Sequence, residues 1–233
     1  AEAGVWCPYG EPVDFPPDQR REDGLCLTFD APPVDEAVEV VGHPRLTLSV
    51  AADQPLALVA VRLCDVSPSG SSLQVSKGVL NLTHREDHEN PQPLEPGRFY
   101  QVEIALDAVG HRLLAGHHWR LAISPTYWPM AWPSPRAVTL RIRTGEASYV
   151  RLPVRPPQRG DADLPAFPEP ERCQTIPHEV MRSSRRTRTL KENVGERRLD
   201  LHDLSDGGRK RLTETGLEVY SQIEDHFTIA EDD

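Results

Sequence analysis

The chain has 233 residues, 36 acidic against 26 basic, a formal charge of -10, and 38% hydrophobic side chains. That length suffices for one or two domains and the apolar content for a folded core. The acidic balance excludes a general nucleic-acid binder, whose footprint is a basic face, and no apolar run is long enough to span a membrane as a helix.

The 23 prolines and 15 glycines suit short strands joined by turns better than long helices. Residues 1–23 are Pro-rich and polar, with Trp6, Tyr9 and Phe15 as scattered anchors, and read as an extended lead-in. Residues 25–29 form a short apolar strand broken at Ala31-Pro32-Pro33. Residues 38–41 form the next, closed by Gly42-His43-Pro44. Residues 45–50 alternate cleanly, with Leu46, Leu48 and Val50 on one face and Arg45, Thr47 and Ser49 on the other. Residues 56–66 are almost continuously apolar, as in a strand covered on both faces. Only Arg62 and Asp65 interrupt them.

Ser67-Pro68-Ser69-Gly70 is a turn by composition. Residues 73–83 hold one or two strands around Gly78. Residues 99–106 point Val102, Ile104 and Leu106 inward. Residues 118–124 do the same with Trp119, Leu121 and Ile123, and Val138, Leu140 and Ile142 repeat the pattern. No segment here has a helical period. About eight short strands in so compact a stretch predict a two-sheet sandwich or jelly roll. Seven prolines between Pro153 and Pro177 mark a linker or surface strap. Beyond it, residues 179–190, 199–204 and 217–229 are further strand candidates, the opening of a second, partial β unit.

Catalytic motifs are scarce. There is no G-x-S-x-G elbow of the kind an α/β-hydrolase needs, and the serines at 67–72 lie in a polar turn. His84-Arg85-Glu86-Asp87-His88 lacks the Glu directly after the first His that an H-E-x-x-H zinc helix requires. His111, His117 and His118 read as loop residues, and neighbours such as His117 and His118 point to opposite faces of a strand. The acids Glu36, Glu39, Glu86, Asp87 and Glu89 sit near turns and read as solvated. Arg182, Arg185, Arg186 and Arg188 read as the exposed face of an edge strand, where charge discourages aggregation. Cys7, Cys26, Cys64 and Cys173 show no metal spacing, and a reducing, cytoplasmic setting is expected. The chain opens Ala1-Glu2-Ala3-Gly4 and closes on Glu231-Asp232-Asp233, which is expected of a piece of a longer protein.

The most distinctive loop is Tyr127-Trp128-Pro129-Met130-Ala131-Trp132-Pro133. Three large aromatics after a core strand indicate either contact with a domain or ligand or a loop folded back to cap its own sandwich. Tyr127, Trp128 and Trp132 are the candidate contact residues.

Several stretches occur in an order that carries a family likeness. They are Leu27-Thr28-Phe29-Asp30, Val38 through Gly42-His43-Pro44, Val61-Arg62-Leu63-Cys64-Asp65-Val66, Gly78-Val79-Leu80, Leu94-Glu95-Pro96-Gly97, and Ala115-Gly116-His117 running into Ser124. Together they resemble the C-terminal jelly-roll domain of the X-Pro dipeptidyl-peptidase and cocaine-esterase-like serine hydrolases. The resemblance implies a galactose-binding-like sandwich that packs on an α/β-hydrolase catalytic domain of the same polypeptide and helps shape its substrate cleft. It carries no catalytic residue onto this chain, and no metal or cofactor. Asp53-Gln54-Pro55 and Pro125-Thr126-Tyr127 depart from the family's usual loops.

The sequence therefore predicts an all-β protein with a lead-in at 1–23, a jelly-roll sandwich at 24–145, a Pro-rich linker at 146–177 and an additional β unit at 178–233. Its expected partner is the hydrolase domain, with neither nucleic acid nor membrane, and a homo-oligomer is left open. The alternative is an independent carbohydrate-binding module on the same architecture.

Overall fold

Period-two alternation becomes strand along most of the chain. The computed structural model describes residues 16, 18–163, 165–171 and 173–230. The lead-in anchors Trp6, Tyr9 and Phe15 lie outside the described residues. The chain divides into two compact units, Ala1–Ala162 and Asp163–Asp233.

The first unit is an antiparallel sandwich. Its strands are β1 (Leu27–Asp30), β2 (Val38–Gly42), β3 (Arg45–Ala52), β4 (Leu58–Val66), β5 (Ser72–Asn81), β6 (Tyr100–Ala105), β7 (Val109–Leu113), β8 (His118–Ser124), β9 (Leu140–Arg143) and β10 (Tyr149–Arg151). One sheet runs β1-β8-β4-β5. The other runs β10-β3-β6, with β9 continuing β10 along the same edge of β3, and β2 pairs with β7 apart from both. Leu46, Leu48, Val50, Val102 and Ile104 of one sheet meet Val59, Val61, Leu63, Trp119 and Ile123 of the other in a single core. The inward sets expected for β3, β6 and β8 are the ones that pack there.

Glycine decides two details. Gly78 faces the second sheet, and a Cβ there would stand 2.7 Å from Leu106 Cδ2 and 3.0 Å from the Ala105 carbonyl. The stretch 73–83 therefore holds one strand, which ends at Asn81, and then a 3-10 turn at Leu82–His84. Gly97 and Gly116 each take a positive φ, +82° and +80°. The Arg98 N–H donates to the Glu95 carbonyl, and the His117 N–H to that of Leu114. Both are tight turns that require φ > 0 at their third residue, and each leads toward a core strand.

The structure modifies the reading of the flanks. Residues 1–23 are not wholly extended, because Arg20–Asp23 forms one helical turn, α1. The segment after residue 146 is not all linker, because β10 pairs with β3, Val154 bridges Val40, and the Arg155 N–H reaches the Glu39 carbonyl. His111, expected in a loop, lies within β7.

The second unit is a four-stranded antiparallel sheet. β11 (His178–Arg182) and β12 (Arg185–Asn193) lie end to end along one edge of β13 (Arg198–Leu212), and β14 (Glu218–Ala230) covers the other edge. A bulge in β13 between Asp206 and Arg209 shifts the pairing with β14 by one residue. Gly208 accommodates it with φ +75°, as bulges demand. No helix among the described residues is long and apolar enough to cross a membrane.

Candidate domain interface

β4 is buried along its whole length on both faces. Its inner face is core. Its outer face needs a second cover, and two segments supply it.

The first is α1. Arg62 points outward from β4 and would be an unpaired charge in a dry site, at a cost of several kcal/mol. Its Nη2 lies 3.0 Å from Asp23 Oδ1, and its Nη1 donates to Gln19 Oε1 at 2.6 Å. Asp23 also accepts from Ser72 Oγ at 2.8 Å and from Arg120 Nη1 at 3.2 Å. Arg120 in turn grips Asp30 with two bonds of 2.7 and 2.8 Å, and this guanidinium holds the Asp30 carboxyl below the usual carboxylate range, against a smaller opposing effect of burial. The cluster fastens α1, β1, β4, β5 and β8 together. Cys64 is buried beside it, and burial pushes its thiol up to about 12. Since the thiolate is the nucleophile, Cys64 is inert at neutral pH.

The second cover is the aromatic loop. Tyr127 and Trp128 are 4% and 3% exposed, and Tyr127 packs on Leu58 and Ala60 of β4. Burial raises the Tyr127 phenol to about 12, and its hydroxyl reaches Gln74 Oε1 at 3.4 Å. Burying each of these rings is worth roughly 1.5–3 kcal/mol. Trp132 behaves differently. It is 70% exposed and Met130 41% exposed. On β5, Val79 pairs directly with Ala60 and is likewise exposed. Of the three aromatics singled out in the sequence, two therefore cap their own sandwich. The third projects from a base those two hold fixed.

The remaining candidates resolve into structural roles. The serine loop is a polar turn, with Gly70 N–H on the Ser67 carbonyl and Ser67 Oγ 2.8 Å from Ser69 Oγ. The rings of His84 and His88 lie 5.5 Å apart in a tilted contact. His118 lies 3.7 Å from Asp30. Glu39 binds Arg155, Glu86 lies 3.9 Å from Arg85, and Asp87 accepts from the Glu89 N–H and from the Asn90 side chain.

The four arginines singled out in the second unit are paired. Arg182 and Arg185 converge on buried Asp206, and Arg186 and Arg188 lie 3.9 and 3.5 Å from Asp203. They do not form an open anion site.

One arrangement went unread in the sequence. Buried Asp65, the second polar break in β4, accepts from His111 Nε2 at 2.8 Å and His117 Nδ1 at 2.7 Å. It ties the end of β4 to β7 and to the Gly116 turn. A polar residue inside an otherwise apolar strand was the available signal, since a buried carboxylate must find partners.

Residues 3–175 match the family model described as the X-Pro dipeptidyl-peptidase C-terminal non-catalytic domain. The chain belongs to that family. It is 29% identical over 118 residues to the cocaine esterase of Rhodococcus sp. (strain MB1 Bresler), covering 51% of this chain and 20% of that protein. It is 27% identical to the Xaa-Pro dipeptidyl-peptidase of Pediococcus pentosaceus (strain ATCC 25745 / CCUG 21536 / LMG 10740 / 183-1w), covering 43% and 17% respectively. Among solved structures, an alpha-amino acid ester hydrolase superposes with a TM-score of 0.57 at 24% identity, over 60% of this chain and 27% of the other. An aminopeptidase from a marine sediment Thaumarchaeota archaeon gives 0.57 at 22%, over 64% and 30%. These two likenesses establish the fold alone.

The chain thus spans about a fifth of the length of the curated relatives it matches. Residues 3–175 are a domain of the X-Pro dipeptidyl-peptidase C-terminal non-catalytic type. A cavity of about 280 Å³ opens between its two sheets, lined by Phe29, Leu46, Trp119, Leu121, Ile142 and Tyr149. Most of that lining is apolar, with Asp30, Thr144 and Ser148 among its polar members.

Proposed function

We propose that this domain packs against an α/β-hydrolase catalytic domain of the same polypeptide and helps shape its substrate cleft, using the tip of the aromatic loop. The observation that carries the reading is Trp132. Its ring is open to solvent on a base immobilised by buried Tyr127 and Trp128, with exposed Met130 in the same loop. A rigid aromatic with a flexible thioether beside it is the composition enriched at interface centres, and pre-organisation lowers the entropy lost on docking. The names of the relatives support hydrolysis of an ester, or of a peptide bond after proline, as the reaction of the whole protein. The nucleophile, base and orienting acid of a serine mechanism would come from the catalytic domain. The carbohydrate reading draws on one open ring of three. Free thiols at Cys26, Cys64 and Cys173 support a reducing, cytoplasmic setting.

The test is hydrolysis of a chromogenic Xaa-Pro amide and a short-chain aryl ester by the full-length polypeptide and its Trp132→Ala variant. The variant should lose roughly 10-fold or more in kcat/KM, the scale of one interface hot spot. The folded stability of this domain should move by no more than about 0.5 kcal/mol, as for a surface site. Unchanged kinetics on the better substrate would sink the role assigned to Trp132.

A further inference from the structure

We propose that His202, Glu224 and His226 form a binding site for one divalent transition-metal ion of the zinc class, clipping β13 to β14. His202 and His226 are directly opposite each other in the antiparallel ladder, where side chains of paired residues stand side by side. Their rings stack at 4.3 Å between centroids and 13° between planes. Glu224, two residues before His226, shares its face of β14.

The three donor atoms converge. Glu224 Oε1 lies 2.8 Å from His202 Nε2 and 3.4 Å from His226 Nε2, and all three ligand atoms fall within 4.8 Å of one another. In a tetrahedral zinc site with bonds near 2.0–2.1 Å, neighbouring donors stand about 3.3 Å apart. The cluster thus presents three corners of a tetrahedron with little rearrangement. Two imidazoles and a carboxylate suit zinc, and suit magnesium or calcium poorly, since those prefer all-oxygen shells. All three side chains are open to solvent, so the ion would enter directly and complete its shell with water. Among the described residues this is the group of three or more His, Cys, Asp or Glu side chains so placed.

The bulge makes the site. On the turn side of it, Arg209 pairs with Tyr220 and Lys210 with Val219. Continued without a break, that register would set His202 opposite Phe227 and turn the two histidines away from each other. Neighbouring charges are already engaged: Asp200 accepts from Arg198 and Thr228, and Asp203 on the opposite face lies beside Arg186 and Arg188.

Zinc chloride titrated calorimetrically into the intact 233-residue chain should show one ion per chain. His202→Gln and His226→Gln should each abolish it, and Glu224→Gln should weaken it by about 10-fold or more, at least the loss typical of a group that only supports a metal ligand. Cobalt(II) should give the visible absorption of a four-coordinate ion, lost in the same variants. His84→Gln/His88→Gln should leave both signals intact. Circular dichroism of the variants checks that the sheet is retained, and the three side chains are exposed enough to change without unfolding it. Absence of zinc binding by the unaltered chain overturns the proposal. So does binding that survives His202→Gln/His226→Gln, or that disappears with His84→Gln/His88→Gln.

Discussion

At the scale of single residues, the decisive interaction is the buried pair of Arg62 and Asp23. Both side chains are only 4% exposed, so neither can fall back on water. Removing one partner of a buried pair costs about 3–5 kcal/mol because the other charge stays uncompensated. Asp23→Ala should therefore destabilise the sandwich by that amount in urea unfolding. Replacing both residues with apolar side chains of similar size, as in Asp23→Leu/Arg62→Met, should recover most of the loss. A single-variant cost below about 1 kcal/mol would show that water reaches the pair, as it does at surface salt bridges. Sequence alone exposed half of this interaction. Arg62 stood out as a charge in an apolar run, but nothing local identified Asp23, which is far away in the chain and arrives through α1. Asp65 presents the same case, since its partner His111 looked like a loop residue until β7 formed and His117 arrives from the turn that follows β7.

At the scale of elements, legibility followed the physics of the strand. β3, β6 and β8 bury one face toward the core, and their period-two pattern named the inward residues. β4 gave itself away as a strand covered on both sides, although its outer cover could not be read. The aromatic loop that supplies part of it looked equally suited to contact or to capping, and the structure buries Tyr127 and Trp128 while leaving Trp132 exposed. Strand pairing was less legible. β7 is short and interrupted by Gly110, and the β13–β14 register depends on a bulge that sequence periodicity does not reveal. Gly78 shows how one missing side chain lets elements meet. A Cβ there would press on Leu106 and on the Ala105 backbone, which cannot give way as a flexible side-chain end would. Gly78→Val should cost about 1–3 kcal/mol, the range for overpacking, measured by thermal denaturation. A neutral result would mean that the two sheets separate there without penalty.

At the scale of the whole molecule, acid should loosen the sandwich in a defined window. The Arg155 side chain and the Gln158 N–H hold the Asp161 carboxyl at about 2, and Arg120 depresses Asp30. A depressed carboxylate contributes stability that is fully present above its unfolded value, near 3.9, and that is lost as pH falls through its folded value. Stability should thus hold level above about pH 5 and decline from about pH 4 toward pH 2, with Asp161→Asn flattening part of the fall. The segment following the sandwich makes a sharper forecast. Residues 165–171 are exposed and carry no regular structure, which is where nicking concentrates. Its prolines restrict the choice of bond: Pro170 follows Glu169, and peptide bonds preceding proline resist most endoproteases. Glu171 has no such protection. A Glu-specific protease should therefore cut after Glu171 before it cuts at Glu39 or Glu103, which lie in the paired strands β2 and β6. A first cut inside the sandwich, at Glu86 or Glu89 for example, would show that the loop held by Asp87 and Arg85 opens more readily than the Pro-rich segment.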